Sequence, residues 1–117
     1  VKRKEAYRGF ASIFWTHSIE ERKTDWLTAN FHSQFRELLW HLLSRYDCIC
    51  PIYRLMPDHI HLLTTGVSAR TDQLKFTRQL RKETNTLIKP IKLQHQAHDH
   101  LLRKEELEQS AFQGVAF

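Results

Sequence analysis

The sequence predicts an α+β fold, an antiparallel sheet backed by helices and ferredoxin-like in outline. Three observations predict it. Short β-branched and aromatic runs alternate with two stretches of helical apolar spacing. Two of the strand-like runs, 48–55 and 59–65, are separated only by a turn at Met56-Pro57-Asp58. The order of segments is strand, helix, strand, strand, helix, strand and a last helix, which suits helices laid on an antiparallel sheet.

Taken in order, residues 8–18, R-G-F-A-S-I-F-W-T-H-S, are rich in aromatics and hydroxyls and suit a strand. Residues 19–25, I-E-E-R-K-T-D, are a polar loop. A helix is expected from near Thr28 to Tyr46, because Phe31, Phe35, Leu38, Leu39, Leu42 and Leu43 form one apolar stripe. Residues 48–55, C-I-C-P-I-Y-R-L, form the second strand; Pro51 lacks an N–H, which implies a sheet edge or a bulge there. Residues 59–65 close the hairpin. A second helix is expected over 68–88, with Leu74, Leu80, Leu87 and Ile88 inward and Lys89-Pro90 as its stop. Residues 97–103 suit a short strand, and 104–117 the beginning of a last helix.

The chain of 117 residues fits a single domain spanning 1–117. No apolar run approaches the roughly 20 residues of a membrane span, and residues 1–8 are charged, with no signal-peptide stretch behind them. A cytoplasmic protein is expected. Cys48 and Cys50 point the same way on a strand, a poor disulfide geometry, and are expected to be reduced core thiols. The 18 Lys and Arg against 13 Asp and Glu give a net charge of +5, which favours a polyanionic partner, most simply nucleic acid.

Eight histidines are many for this length, and two of them, His59 and His61, flank Ile60 just after the Pro-Asp turn. Alternation along a strand puts His59, His61 and Leu63 on one face and Ile60 and Leu62 on the other. Imidazoles two apart on one face can share a divalent metal. The alternative is a pair of polar residues on a half-solvated sheet face. Lys75, Arg78, Arg81 and Lys82 wrap a broad face of the second helix, where they suit phosphate contacts or, equally, a solvated surface. Arg54, on the strand beside the motif, is a candidate for the phosphate as well. His98-Asp99-His100 is a second H-x-H, which could supply a metal ligand or DNA contacts but is read as a polar strand end, because Asp99 and the lack of apolar alternation argue for exposure. His17, His32 and His41 are read as structural or surface residues, and Trp15, Trp26 and Trp40 as core or dimer packing.

The stretch L-M-P-D-H-I-H-L-L resembles the M-P-N-H-V-H-L-L signature of the single-tyrosine HUH transposases, and within them the REP-associated tyrosine transposases. The first strand, F-R-E-L-L-W, K-F-T-R-Q-L-R-K and H-D-H-L-L-R-K-E-E follow in that family's order, so the resemblance spans nearly the whole chain. It implies the HUH endonuclease fold, with His59 and His61 as catalytic metal ligands for Mg²⁺ or Mn²⁺. It implies single-stranded or hairpin DNA as partner, with a homodimer as a further candidate. The implied reaction is attack by a tyrosine on the scissile phosphate, leaving a 5′-phosphotyrosine link and a free 3′-hydroxyl, reversed on rejoining.

This chain departs from that pattern: its three tyrosines, Tyr7, Tyr46 and Tyr53, all precede the motif. The family's tyrosine helix follows a segment like A-F-Q-G-V-A-F, where this sequence stops, so the chain is expected to be truncated before it. If it is not, a non-catalytic module that grips hairpin DNA is expected instead. A histidine-triad nucleotide hydrolase would need a third histidine where Leu63 stands.

Overall fold

The computed structural model describes residues 4–102. It contains a four-stranded sheet and two α-helices, the α+β plan the sequence predicts. Strand β1 is Ser12–Ser18, β2 Cys48–Met56, β3 His59–Gly66 and β4 His98–Leu101; helix α1 is Ala29–Arg45 and α2 Gln73–Ile88. The sheet order is β2-β3-β1-β4, with every neighbouring pair antiparallel. The last helix expected over 104–117 lies outside the described residues.

Helix α1 begins where the sequence places it. Thr28 has extended backbone and its hydroxyl accepts the Phe31 N–H at 3.0 Å, satisfying one of the orphan donors of the first turn. The stripe of Phe31, Phe35, Leu39, Leu42 and Leu43 is buried. The helix ends as Asp47 takes a left-handed φ of 54° and the chain turns into β2. Strand β2 is an edge strand and also carries a register shift between Ile49 and Ile52, so Pro51 sits at both features that its missing N–H requires.

Two boundaries differ from expectation. Strand β1 starts at Ser12 rather than at residue 8, because Gly9, at a φ of 73°, turns the chain before the strand. Helix α2 starts at Gln73 rather than at residue 68. Residues 68–71 form a turn, with the Thr71 N–H bonded to the Ser68 carbonyl, and the cap is Asp72, whose carboxylate accepts from the Leu74 and Lys75 N–H groups. The polar loop after β1 contains a 3₁₀ turn at Glu20–Arg22.

The core lies between the helices and one face of the sheet. Ile13, Trp15 and His17 of β1, with Ile60, Leu62 and Thr64 of β3, are buried against it. The Trp15 indole N–H reaches the Thr64 hydroxyl and the Gln73 side-chain oxygen, and Gln73 in turn donates to the Ala11 carbonyl at 2.7 Å, so these three polar side chains in the core are paired. Tyr53 of β2 packs on Phe35 of α1 with ring centroids 5.8 Å apart, which places α1 on the same side. Cys48 is buried and Cys50 half-buried; both are free, and burial pushes each thiol up to about 12. Trp15 and Trp26 are core residues, but Trp40 is 71% exposed on the outside of α1 and does not pack in the core. No described helix is long and apolar enough to cross a membrane.

Candidate metal and nucleic-acid site

Strand register carries the histidine pair to the sheet face away from both described helices. Because Ile60 and Leu62 are buried in the core, His59 and His61 must point the other way. Thr16 pairs with His61 and Ser18 with His59 across the β1–β3 ladder. On the opposite flank Arg54 pairs with His61 and Met56 with His59. His98 pairs with the other side of Thr16, so the row across this face runs Arg54, His61, Thr16, His98.

The two imidazoles sit with ring centroids 4.4 Å apart, tilted by 73°. Each has its Nδ1 engaged. His59 Nδ1 lies 2.6 Å from Asp58 Oδ1, and His61 Nδ1 lies 3.1 Å from Thr16 Oγ1. The hydrogen bond from His59, and then that ring's charge and Arg22, hold the Asp58 carboxyl below the usual range. An ionised Asp58 can only accept, so when the His59 ring is neutral its proton is on Nδ1 and its lone pair on Nε2. The His61 Nδ1 is engaged with the Thr16 hydroxyl, which can donate or accept, so Nε2 is the nitrogen left to a ligand when Nδ1 carries the proton. His61 is stacked on Phe14 at 5.1 Å, and its pKa is lowered, first by burial and then by the charges of His59 and Arg54. Imidazoles held through one nitrogen and neutral at the other are the donor set that a divalent metal takes. Among the described residues, no third His, Cys, Asp or Glu completes a cluster around them.

The four helix cations lie elsewhere. Helix α2 packs on the core face, where His17 meets Thr77 at 2.9 Å, so Lys75, Arg78, Arg81 and Lys82 are across the sheet from the histidines. They form one wall of a cleft of about 860 Å³ that Tyr7, Trp15, His95 and Asp99 also line. The sequence offers these cations as phosphate contacts without fixing which face of the sheet they take, and the structure puts them and the histidine pair on opposite faces. Only Arg54 shares its face, and it is exposed there.

The tyrosines are also on the helix side. Tyr7 stacks on Trp15 and donates to Asp99; Tyr46 meets Phe76 edge-on; Tyr53 bonds His32 at 3.2 Å. None of the three faces His59 and His61. Sequence reasoning missed Asp58 and Thr16 as partners of the pair. Asp58 was legible only as a turn former, and Thr16 becomes a neighbour through register alone.

A structure of the REP-associated tyrosine transposase bound to a REP hairpin superposes on this chain with a TM-score of 0.75, at 17% identity over 95% of this chain and 66% of that one. The fold is that of this transposase. The chain spans 66% of the transposase's length. A crystal structure of a transposase candidate from Deinococcus radiodurans R1 superposes on this chain with a TM-score of 0.66 at 11% identity, over the full length of both chains. No protein-family model and no curated protein matches the sequence.

Proposed function

We propose that the chain is the metal- and DNA-binding part of a transposase that cuts and rejoins single-stranded DNA at hairpin ends in the cytoplasm. The observation that carries this reading is the engagement of Nδ1 in both His59 and His61, adjacent rings on the sheet face that the described helices leave uncovered, next to Arg54, with Nε2 of each left to a ligand. His59 and His61 would hold Mg²⁺ or Mn²⁺, which as a Lewis acid supplies charge stabilisation at the phosphoryl oxygens. Arg54 offers a fixed positive charge one strand away, suited to the neighbouring phosphate. The cations of α2 bind DNA from the other side of the sheet, where the strand's sequence is not read and phosphate charge is. The REP-associated transposase structure named above is bound to a REP hairpin, which supports hairpin DNA as the ligand class.

The nucleophile in this reading is a tyrosine supplied from outside the chain. A second reading has its own observation: Tyr7, Tyr46 and Tyr53 are all turned toward the helices. By itself the chain is then a module that grips hairpin DNA without cutting it.

A gel-shift titration of hairpin oligonucleotides with and without Mn²⁺, followed by a search for covalent protein–DNA product, tests both. Binding that Mn²⁺ strengthens, and that His59→Ala/His61→Ala makes indifferent to Mn²⁺, is the expected result. No covalent adduct is expected from this chain alone. Failure to bind hairpin DNA in either condition would overturn both readings.

A further inference from the structure

We propose that Asp58 is a positioning residue: its carboxylate fixes His59 in the tautomer that offers Nε2 to a divalent cation, and makes His59 the stronger of the two imidazole donors. The proposal rests on the reading of His59 and His61 as metal ligands.

The turn that carries Asp58 is clamped from two separate segments. The Ile19 N–H donates to the Asp58 carbonyl at 2.9 Å, and the Trp26 indole N–H donates to the Pro57 carbonyl at 2.9 Å. These bonds hold the backbone of the turn, from which the short Asp58 side chain meets His59 Nδ1 at 2.6 Å. An ionised carboxylate can only accept, so the imidazole has one tautomer open to it. Charge on the acceptor also pushes electron density toward Nε2, which raises the basicity of a metal-binding nitrogen. The partner of His61 is different in kind. The Thr16 hydroxyl is neutral and can donate or accept, so it orients the ring without choosing its tautomer. The signature this chain resembles has Asn where Asp58 stands. An amide oxygen could make the same bond but would bring no charge.

The test is Mn²⁺ affinity, read by water-proton relaxation, for the wild type, Asp58→Asn, Asp58→Ala and His59→Ala/His61→Ala. It is joined to ¹⁵N spectra of the imidazoles in the metal-free proteins. Asp58→Ala should raise the Mn²⁺ Kd about 10- to 100-fold and release His59 into a mixture of tautomers. Asp58→Asn, nearly isosteric but able to donate as well as accept, should weaken Mn²⁺ by less and hold the Nδ1–H tautomer less completely than the wild type, and it carries the test if the Ala variant misfolds. Wild-type affinity in both Asp58 variants, with binding lost in the double histidine variant, would overturn the positioning role and leave the metal reading standing. Wild-type affinity in the double histidine variant would overturn the metal reading, and the proposal with it.

Discussion

His17 and His61 sit on adjacent rungs of the β1–β3 ladder, one position out of register and on opposite faces, and their surroundings give them different work. His17 is 1% exposed, with Nε2 on the Thr77 hydroxyl and Nδ1 buried without a hydrogen-bond partner. Burial, and then the charge of Arg81, lowers its pKa to about 4 from 6.5. The unfolded chain therefore takes up this proton first as acid is added. The contribution of a neutral His17 is whole above about pH 6.5 and is lost as pH falls toward 4, amounting to roughly 3 kcal/mol. Urea unfolding of the wild type and His17→Gln across that range should show a steeper loss in the wild type. His61 is only partly buried, and the same direction of shift keeps its lone pair free for a metal at pH values where an exposed histidine is already charged. Residue faces were legible in the sequence, since Ile60 and Leu62 had to enter the core and so turned His59 and His61 out of it. What Asp58 does was not legible, because a Pro-Asp turn explains an aspartate without reference to the next side chain.

At the scale of elements, the sequence located α1, β2 and β3 closely because each announces its own ends: Thr28 as cap, Pro51 as edge and bulge, Pro57-Asp58 as turn. The starts of β1 and α2 were misplaced where a local signal competed. Ser68 is a plausible cap, but Asp72 stands next to the first buried helical residue, Gln73, and caps the helix. The end of β3 depends on a contact that no sequence pattern displays. A Cβ on Gly66 would fall 1.8 Å from the Gly9 carbonyl oxygen, a backbone atom that cannot swing aside. Gly66→Ala should therefore destabilise by about 3 kcal/mol or more, measured as a fall in the urea midpoint, whereas an exposed alanine substitution such as Lys75→Ala should stay within about 0.5 kcal/mol. Helix α2 gives a separate prediction. Changing Lys75, Arg78, Arg81 and Lys82 to Ala should weaken hairpin and single-strand binding, and flatten the slope of log affinity against log salt by about 0.7 for each lost single-strand contact. Because these residues are across the sheet from His59 and His61, Mn²⁺ affinity should not change. An unchanged salt slope would remove this helix from the DNA surface.

At the scale of the molecule, the sheet separates two working surfaces. One is covered by α1 and α2 and carries the core, the tyrosines and the cationic cleft. The other is left open by the described helices and carries Arg54, His61, Thr16 and His98 in one row. The alternation of apolar and polar residues in β3 already implied this division. The position of α2 relative to it was also implied, since helices must cover the apolar face, and that puts the helix cations on the side away from the histidines. The most direct measurement is therefore a map of Mn²⁺-induced line broadening over the backbone amides of the whole chain. The account predicts saturable broadening strongest at Thr16, Ser18, Met56, His59 and His61, declining across the sheet toward Arg78 and Lys82, and abolished in His59→Ala/His61→Ala. Broadening centred on α2 or on His98 and His100, or equal broadening in the double variant, would contradict it.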